Sequence, residues 1–177
     1  LNKYVPQAGN PLKTHTDFKG NIWIATQNGL LVKPKLQDSI LKVSFALGEV
    51  TDITNDAYGN IWTSSKNSGI YKIPVQSNFP VDVQSIKNYT DKNSNLRSNK
   101  TNAIHADGNG KIWIGTREGI IMNLDLVTNE LKDVSATFNL IDERIFNITS
   151  DEYGHIWIST NKRIVEFNHQ NNALKEY

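Results

Sequence analysis

The chain has no cysteine and a single methionine in 177 residues. Without thiols there is no disulfide framework, no thiolate metal site and no cysteine nucleophile. Charge of one sign is also lacking: 19 Lys and Arg face 18 Asp and Glu, for a formal charge of +1. That balance, with no dense basic run, excludes the electrostatic footprint of a nucleic-acid surface or a polybasic membrane patch. No stretch approaches the roughly 18 apolar residues of a transmembrane helix, so no direct membrane contact is expected of this segment. The G-x-S-x-G elbow, the phosphate loop, the H-E-x-x-H helix and the Rossmann fingerprint are all missing. The chain opens at Leu1 with neither a start Met nor a signal peptide, which reads as a processed or excised piece.

What is present is a repeat, and repeats decide fold before local structure does. The four tryptophans, Trp23, Trp62, Trp113 and Trp157, are spaced by 39, 51 and 44 residues. Six positions before each stands an aspartate: Asp17, Asp56, Asp107 and Asp151. Three positions before each stands a glycine: Gly20, Gly59, Gly110 and Gly154. The copies read DFKGNIWIATQNGL, DAYGNIWTSSKNSGI, DGNGKIWIGTREGI and DEYGHIWISTNKRI. Each Asp-x-x-Gly is expected to be a tight turn, the carboxylate accepting backbone N–H groups and glycine taking positive φ.

Strand signals surround each turn. β-branched runs precede it (VTDIT at 50–54, TNAIHA at 101–106, IFNIT at 145–149) and the IWIAT-like run follows. The latter is apolar on both faces, as befits a strand covered on two sides. After a polar turn comes a third strand (LLVKP, IYKIPV, IIMNLDL, IVEFN) and then a more polar fourth: 40–45, 83–90, 130–135 and 173–177. No segment has a sustained helical period, so the chain reads as all-β. Four antiparallel strands per unit, one Trp each, predict a β-propeller of four blades, over about 12–45, 50–90, 101–135 and 145–177. Residues 88–102 are expected to form a long connection between blades. Leu1 to Val5 look like the outer strand of a preceding blade, so the four blades read as an arc or fragment of a larger ring. The rest of the ring, or a second copy of the chain, would then cover the end blades.

The pattern I-x-x-D-x-x-G-x-I-W-I-G-T-x-x-G-I, clearest from Ile104 to Ile120, resembles the two-component regulator propeller repeat. That repeat forms the periplasmic sensor portion of hybrid two-component sensor histidine kinases of Bacteroides type. Two departures matter: an extra residue within Lys66-Asn67-Ser68 displaces Gly69 by one place, and Arg163 stands where glycine is expected. The resemblance implies a ring of about seven blades and a periplasmic, non-catalytic sensor of glycan fragments, with any kinase domain elsewhere in the full protein. It also bears some likeness to the streptogramin lyase propellers, which use a histidine-centred metal site. A third reading is a protein-interaction propeller.

Candidate residues follow from these readings. The tryptophans and repeat aspartates are assigned to blade packing and turn capping. Asp107-Gly108-Asn109-Gly110 begins like a calcium loop but lacks the later acidic positions. His15 and His105 fill one slot, two residues before the aspartate, with Thr54 and Thr149 in the other copies. If the first strands line a channel, this is a ring of polar groups able to hold a metal or act as a base. The bland alternative is four polar side chains bonded within separate strands. No metal, cofactor or catalytic residue is assigned. Ligand contacts are expected where the repeat is broken, on the face shared by the second turns and the inter-blade connections. There lie Gln27, Asn28, Lys66, Asn67, Arg117, Glu118, Lys162 and Arg163, with Tyr89, Asn95 and Arg97 on the 88–102 connection.

Overall fold

A computed structural model describes residues 8–43, 48–74 and 79–177; the segment 1–5, expected as an outer strand, lies outside the described residues. The described chain is built from four four-stranded antiparallel meanders. The first is β1 (Pro11–Thr16), β2 (Ile22–Thr26), β3 (Gly29–Lys33) and β4 (Leu41–Lys42). The second is β5 (Val50–Asn55), β6 (Ile61–Ser65), β7 (Ile70–Ile73) and β8 (Lys87–Tyr89). The third is β9 (Thr101–Ala106), β10 (Lys111–Thr116), β11 (Ile121–Asp125) and β12 (Leu131–Asp133). The fourth is β13 (Ile145–Ser150), β14 (Ile156–Thr160), β15 (Ile164–Asn168) and β16 (Ala173–Glu176). Strand order in every sheet follows sequence order.

The outer strands are shorter than the sequence suggests. Residues 83–90 begin with a 3-10 turn over Val83–Ser85, whose N–H groups are partly met by Asp82. Ser135, expected to end a strand, instead opens a one-turn helix, α1 (Ser135–Phe138). Both are outer-edge segments with few apolar positions, so the pattern there constrains the backbone weakly.

Sheets pack face to face in chain order, and the alternation of strand side chains dictates how. Trp23, Ala25, Leu30 and Val32 of the first sheet meet Ile53, Ile61, Tyr71 and Ile73 of the second. Trp62 and Ile70 of the second meet Ile104, Ile112, Ile114 and Met122 of the third. Trp113 and Ile121 of the third meet Ile148, Ile156, Ile158 and Val165 of the fourth. One rule covers all three interfaces: the Trp face of a sheet buries the Ile face of the next. The result is four propeller blades in an open arc, as the repeat predicts. Trp23, Trp62 and Trp113 are 2%, 0% and 3% exposed, whereas Trp157 is only half-buried. At the other end Ile22, whose counterparts Ile61, Ile112 and Ile156 are buried, is 39% exposed.

The four inner strands β1, β5, β9 and β13 stand side by side around the axis. Each reaches the next through polar side chains. Thr51 Oγ1 donates to the Thr101 carbonyl at 3.3 Å and Asn102 Nδ2 to the Ile145 carbonyl at 2.7 Å. Buried Asp52 accepts the Ile104 N–H at 3.1 Å and pairs with Lys13, whose Nζ also lies 3.4 Å from Asn147 Oδ1 across the axis.

Candidate functional site

Antiparallel meanders place their turns on two opposite faces. One face carries the second turns and the inter-blade connections; the other carries the Asp-x-x-Gly turns and the third turns.

The Asp-x-x-Gly turns are alike in all four copies. In each, aspartate Oδ1 accepts two backbone N–H groups, two and four residues on: Lys19 and Asn21, Tyr58 and Asn60, Asn109 and Lys111, Tyr153 and His155. The second oxygen accepts the indole N–H of the same copy's tryptophan, at 2.8, 2.8, 3.0 and 3.0 Å. Glycine closes the turn at φ between 79° and 87°, a left-handed conformation that side chains resist. The turn-capping role was legible in the sequence; the aspartate–indole bond was not, although a constant six-residue spacing is its signal. Burial works against the Asp17 anion, yet the bonds from Trp23, Asn21 and Lys19 hold its carboxyl below the usual range. For Asp151 the Trp157 indole is foremost among the donors that do the same.

The histidine slot resolves into ties between blades. His15 Nε2 lies 2.6 Å from Asn55 Oδ1, and His105 Nε2 lies 2.9 Å from Ser150 Oγ. Thr54 Oγ1 accepts the Ala106 N–H at 3.3 Å. His15, Thr54 and His105 thus each bond the following blade's inner strand, and the two histidines are bound to different blades rather than to each other. Burial pushes the His105 imidazolium down, with Asp107 opposing and Lys13 reinforcing the effect. Among the described residues no group of three or more His, Cys, Asp or Glu is arranged to hold a metal.

On the face expected to meet a ligand, most polar side chains are engaged with neighbours. Lys66 Nζ is 2.8 Å from Glu49, and Arg117 Nη2 approaches the other oxygen of that carboxylate at 3.9 Å. Glu118 holds Lys100 at 3.1 Å and accepts from Ser98 at 3.2 Å; Arg97 pairs with Asp133 at 3.2 Å. Arg163 replaces the missing glycine's flexibility with an anchor: it binds buried Glu143 at 2.8 Å, Glu176, and the Asn139 carbonyl at 3.0 Å. Its turn is tighter than that of the third blade, Thr160 N–H bonding the Arg163 carbonyl where Thr116 N–H reaches Ile120. Gly69, shifted by one place, has φ of 75° and lies so close to the Tyr89 carbonyl that a Cβ would strike it. Gln27, Asn28, Asn67 and Lys162 stand exposed on their turns, and Asn95 on the connection. Tyr89 lies away from the connection, its ring 5.7 Å from that of Trp62 and its hydroxyl 3.4 Å from Asn129 Oδ1. The structure brings together Lys66, Arg117 and Glu49, and leaves the others dispersed. Among the described residues Arg117 Nε is buried there without a hydrogen-bond partner.

Residues 95–118 and 139–162, each spanning an inner strand, its Asp-x-x-Gly turn and the Trp strand, match the family model of the two-component regulator propeller. Those two stretches, within the third and fourth blades, are similar to the regulator-propeller repeat. The fold is similar to the extracellular domain of a putative hybrid two-component system of B. thetaiotaomicron, at 24% identity and TM-score 0.75, covering 94% of this chain and 23% of that one. A second such domain from that organism gives 17% identity and TM-score 0.76, covering 95% of this chain and 24% of the other. A virginiamycin B lyase of Staphylococcus aureus gives 17% and 0.74, covering 98% and 57%. The chain therefore spans about a quarter of the two sensor domains it resembles. No curated protein sequence matches it. At these identities the structural likeness establishes the propeller fold, and the repeat match carries the link to two-component regulators.

Proposed function

We propose that the chain is a non-catalytic, ligand-sensing portion of a periplasmic propeller in a two-component signalling protein, and that its ligand is a glycan. The observation that carries this reading is the regulator-propeller match over 95–118 and 139–162, on two blades whose turns keep the full Asp-Gly-Trp geometry. Rigid blades tied by Asp52, Asn102 and the histidine slot suit a sensor, because a stiff body transmits a binding event instead of absorbing it. A lyase-like reading needs a free histidine centre. Here His15 and His105 each serve a contact between blades.

A thermal-shift and calorimetric survey of oligosaccharides tests this directly. Ligand that binds only the folded state raises the melting temperature by mass action, so at least one oligosaccharide is expected to bind saturably and stabilise the chain. Absence of any binding across acidic and neutral oligosaccharides would contradict the glycan reading.

A further inference from the structure

The opposite face, which carries the Asp-x-x-Gly turns, presents aromatic side chains that burial does not explain. Between aspartate and glycine the turn constrains only the backbone, and Lys19, Asn109 and Glu152 show that polar residues fill it readily. Yet Phe18, Tyr58 and Tyr153 stand in these tips 74%, 64% and 71% exposed, and none belongs to an inter-blade core. Aromatic surface held in water is a feature of recognition sites. The third turn, with Gly108 and Asn109, carries no ring. Of the four turns, the first and second are therefore the one pair of neighbours with an aromatic residue on both sides.

Phe18 from the first blade and Tyr58 from the second line a single space of about 190 Å³. Beneath it the crevice narrows toward Trp23 and Phe79, whose rings are 6.2 Å apart. Pockets that enclose a whole drug-sized ligand measure roughly 300–1,000 Å³, so this smaller one suits a single ring of a longer molecule. Ala57 and Gly59 in its lining are small and uncharged, which leaves Asp17 and Lys19 to decide what charge the space accepts.

Lys19 already has a partner, so its ammonium is not held in reserve for a ligand. The Asp17 carboxyl is held below its usual range, and its four bonds all come from uncharged donors: the Lys19 and Asn21 N–H groups, the Asn21 amide and the Trp23 indole. Those bonds occupy its lone pairs without cancelling its charge, so a carboxylate placed beside it is repelled. The attraction that remains is apolar contact with the two rings, which needs no charge on the ligand.

We propose that this cleft is a subsite for one uncharged pyranose ring of a neutral oligosaccharide. The C–H face of a pyranose stacks on an aromatic ring, and a ring from each blade holds it between the two turns. This inference rests on the glycan reading above but moves the contact to the face opposite Arg117 and Lys66.

The test is calorimetric titration of the 177-residue chain with maltotetraose, cellotetraose and mannotetraose and, separately, with tetragalacturonate. At least one neutral sugar is expected to bind at least tenfold more tightly than the acidic one, with little change between low and high sodium chloride. Phe18→Ala and Tyr58→Ala should each weaken that binding at least tenfold without lowering the melting temperature of the unliganded chain. Tyr153→Ala, which removes an equally exposed ring from a turn with no aromatic neighbour, should leave the affinity within twofold. Binding that survives both cleft substitutions overturns this subsite while leaving the glycan reading intact, and so does an equal loss in Tyr153→Ala. Tetragalacturonate binding as tightly as the neutral sugars overturns the preference for an uncharged ring. No binding of any of the four overturns the subsite together with the reading it rests on.

Discussion

Trp62 and Trp157 hold the same position in the repeat and donate to the same oxygen of their own aspartates, at 2.8 and 3.0 Å. Their surroundings diverge. Trp62 is covered by Ile104, Ile112 and Ile114 of the next blade, whereas Trp157 has no following blade among the described residues and stacks on Tyr177 at 5.7 Å and 25°. The comparison separates two jobs that one conserved pattern performs. The aspartate–indole bond sets the turn within a blade and forms with or without a neighbour. Burial of the indole face is what joins blades, and that needs the Ile face of the next sheet.

Substitutions should break this pair apart unequally. Trp62→Ala empties a fully buried site and should cost about 3–5 kcal/mol in denaturant unfolding, as large-to-small aromatic changes in cores do. Trp157→Ala removes a half-buried ring and should cost about 1 kcal/mol. Equal losses would contradict the asymmetry. Asp56→Ala strands a buried indole N–H and two turn N–H groups; about 2–4 kcal/mol is expected from their lost partners, with a smaller loss for Asp151→Ala in the same assay.

A gentler difference concerns acid. Asp17 and Asp151 have folded-state carboxyls below the 3.8 of an unperturbed aspartate. Their contribution is complete above that value and is lost as pH falls through the folded value, because the unfolded chain then binds more protons. Asp52 is opposite: burial pushes it up, against the pull of Lys13, so its contribution is fullest at low pH and is lost as pH rises through its folded value. Melting temperature followed from pH 6 down to pH 3 should fall less steeply in Asp17→Asn and Asp151→Asn, and more steeply in Asp52→Asn. The smallest effect belongs to the exposed tips: Phe18→Ala and Tyr58→Ala should stay within about 0.5 kcal/mol of the parent, as exposed positions do.

Much of the architecture was readable in the residues because Asp, Gly and Trp recur in one register, and that register is imposed by a single set of hydrogen bonds. The inter-blade cores were readable too, since IWIAT-like strands are apolar on both faces. The outer strands were not. Leu41–Lys42 and Lys87–Tyr89 are short and polar, and neighbouring backbone, rather than side-chain pattern, decides where they pair. The histidine slot admitted both a channel ring and bonding within separate strands, because sequence shows a shared position but not the partner one blade away. Only the fold reveals Asn55 and Ser150 beside those rings. The aromatic tips escaped notice for a related reason. Phe18 sits one residue after its aspartate, Tyr58 and Tyr153 two, so they align imperfectly, and Phe18 and Tyr58 come to line one space only when their turns stand side by side.

Fluorine NMR of the chain labelled with fluorotryptophan examines the arrangement of the blades most directly. Four resonances are expected from the four tryptophans. Three should be insensitive to exchange of water for D2O, and one, removed by Trp157→Phe, should shift on that exchange. Solvent sensitivity at Trp23, Trp62 or Trp113 comparable to that of Trp157 would contradict blades stacked Trp face upon Ile face.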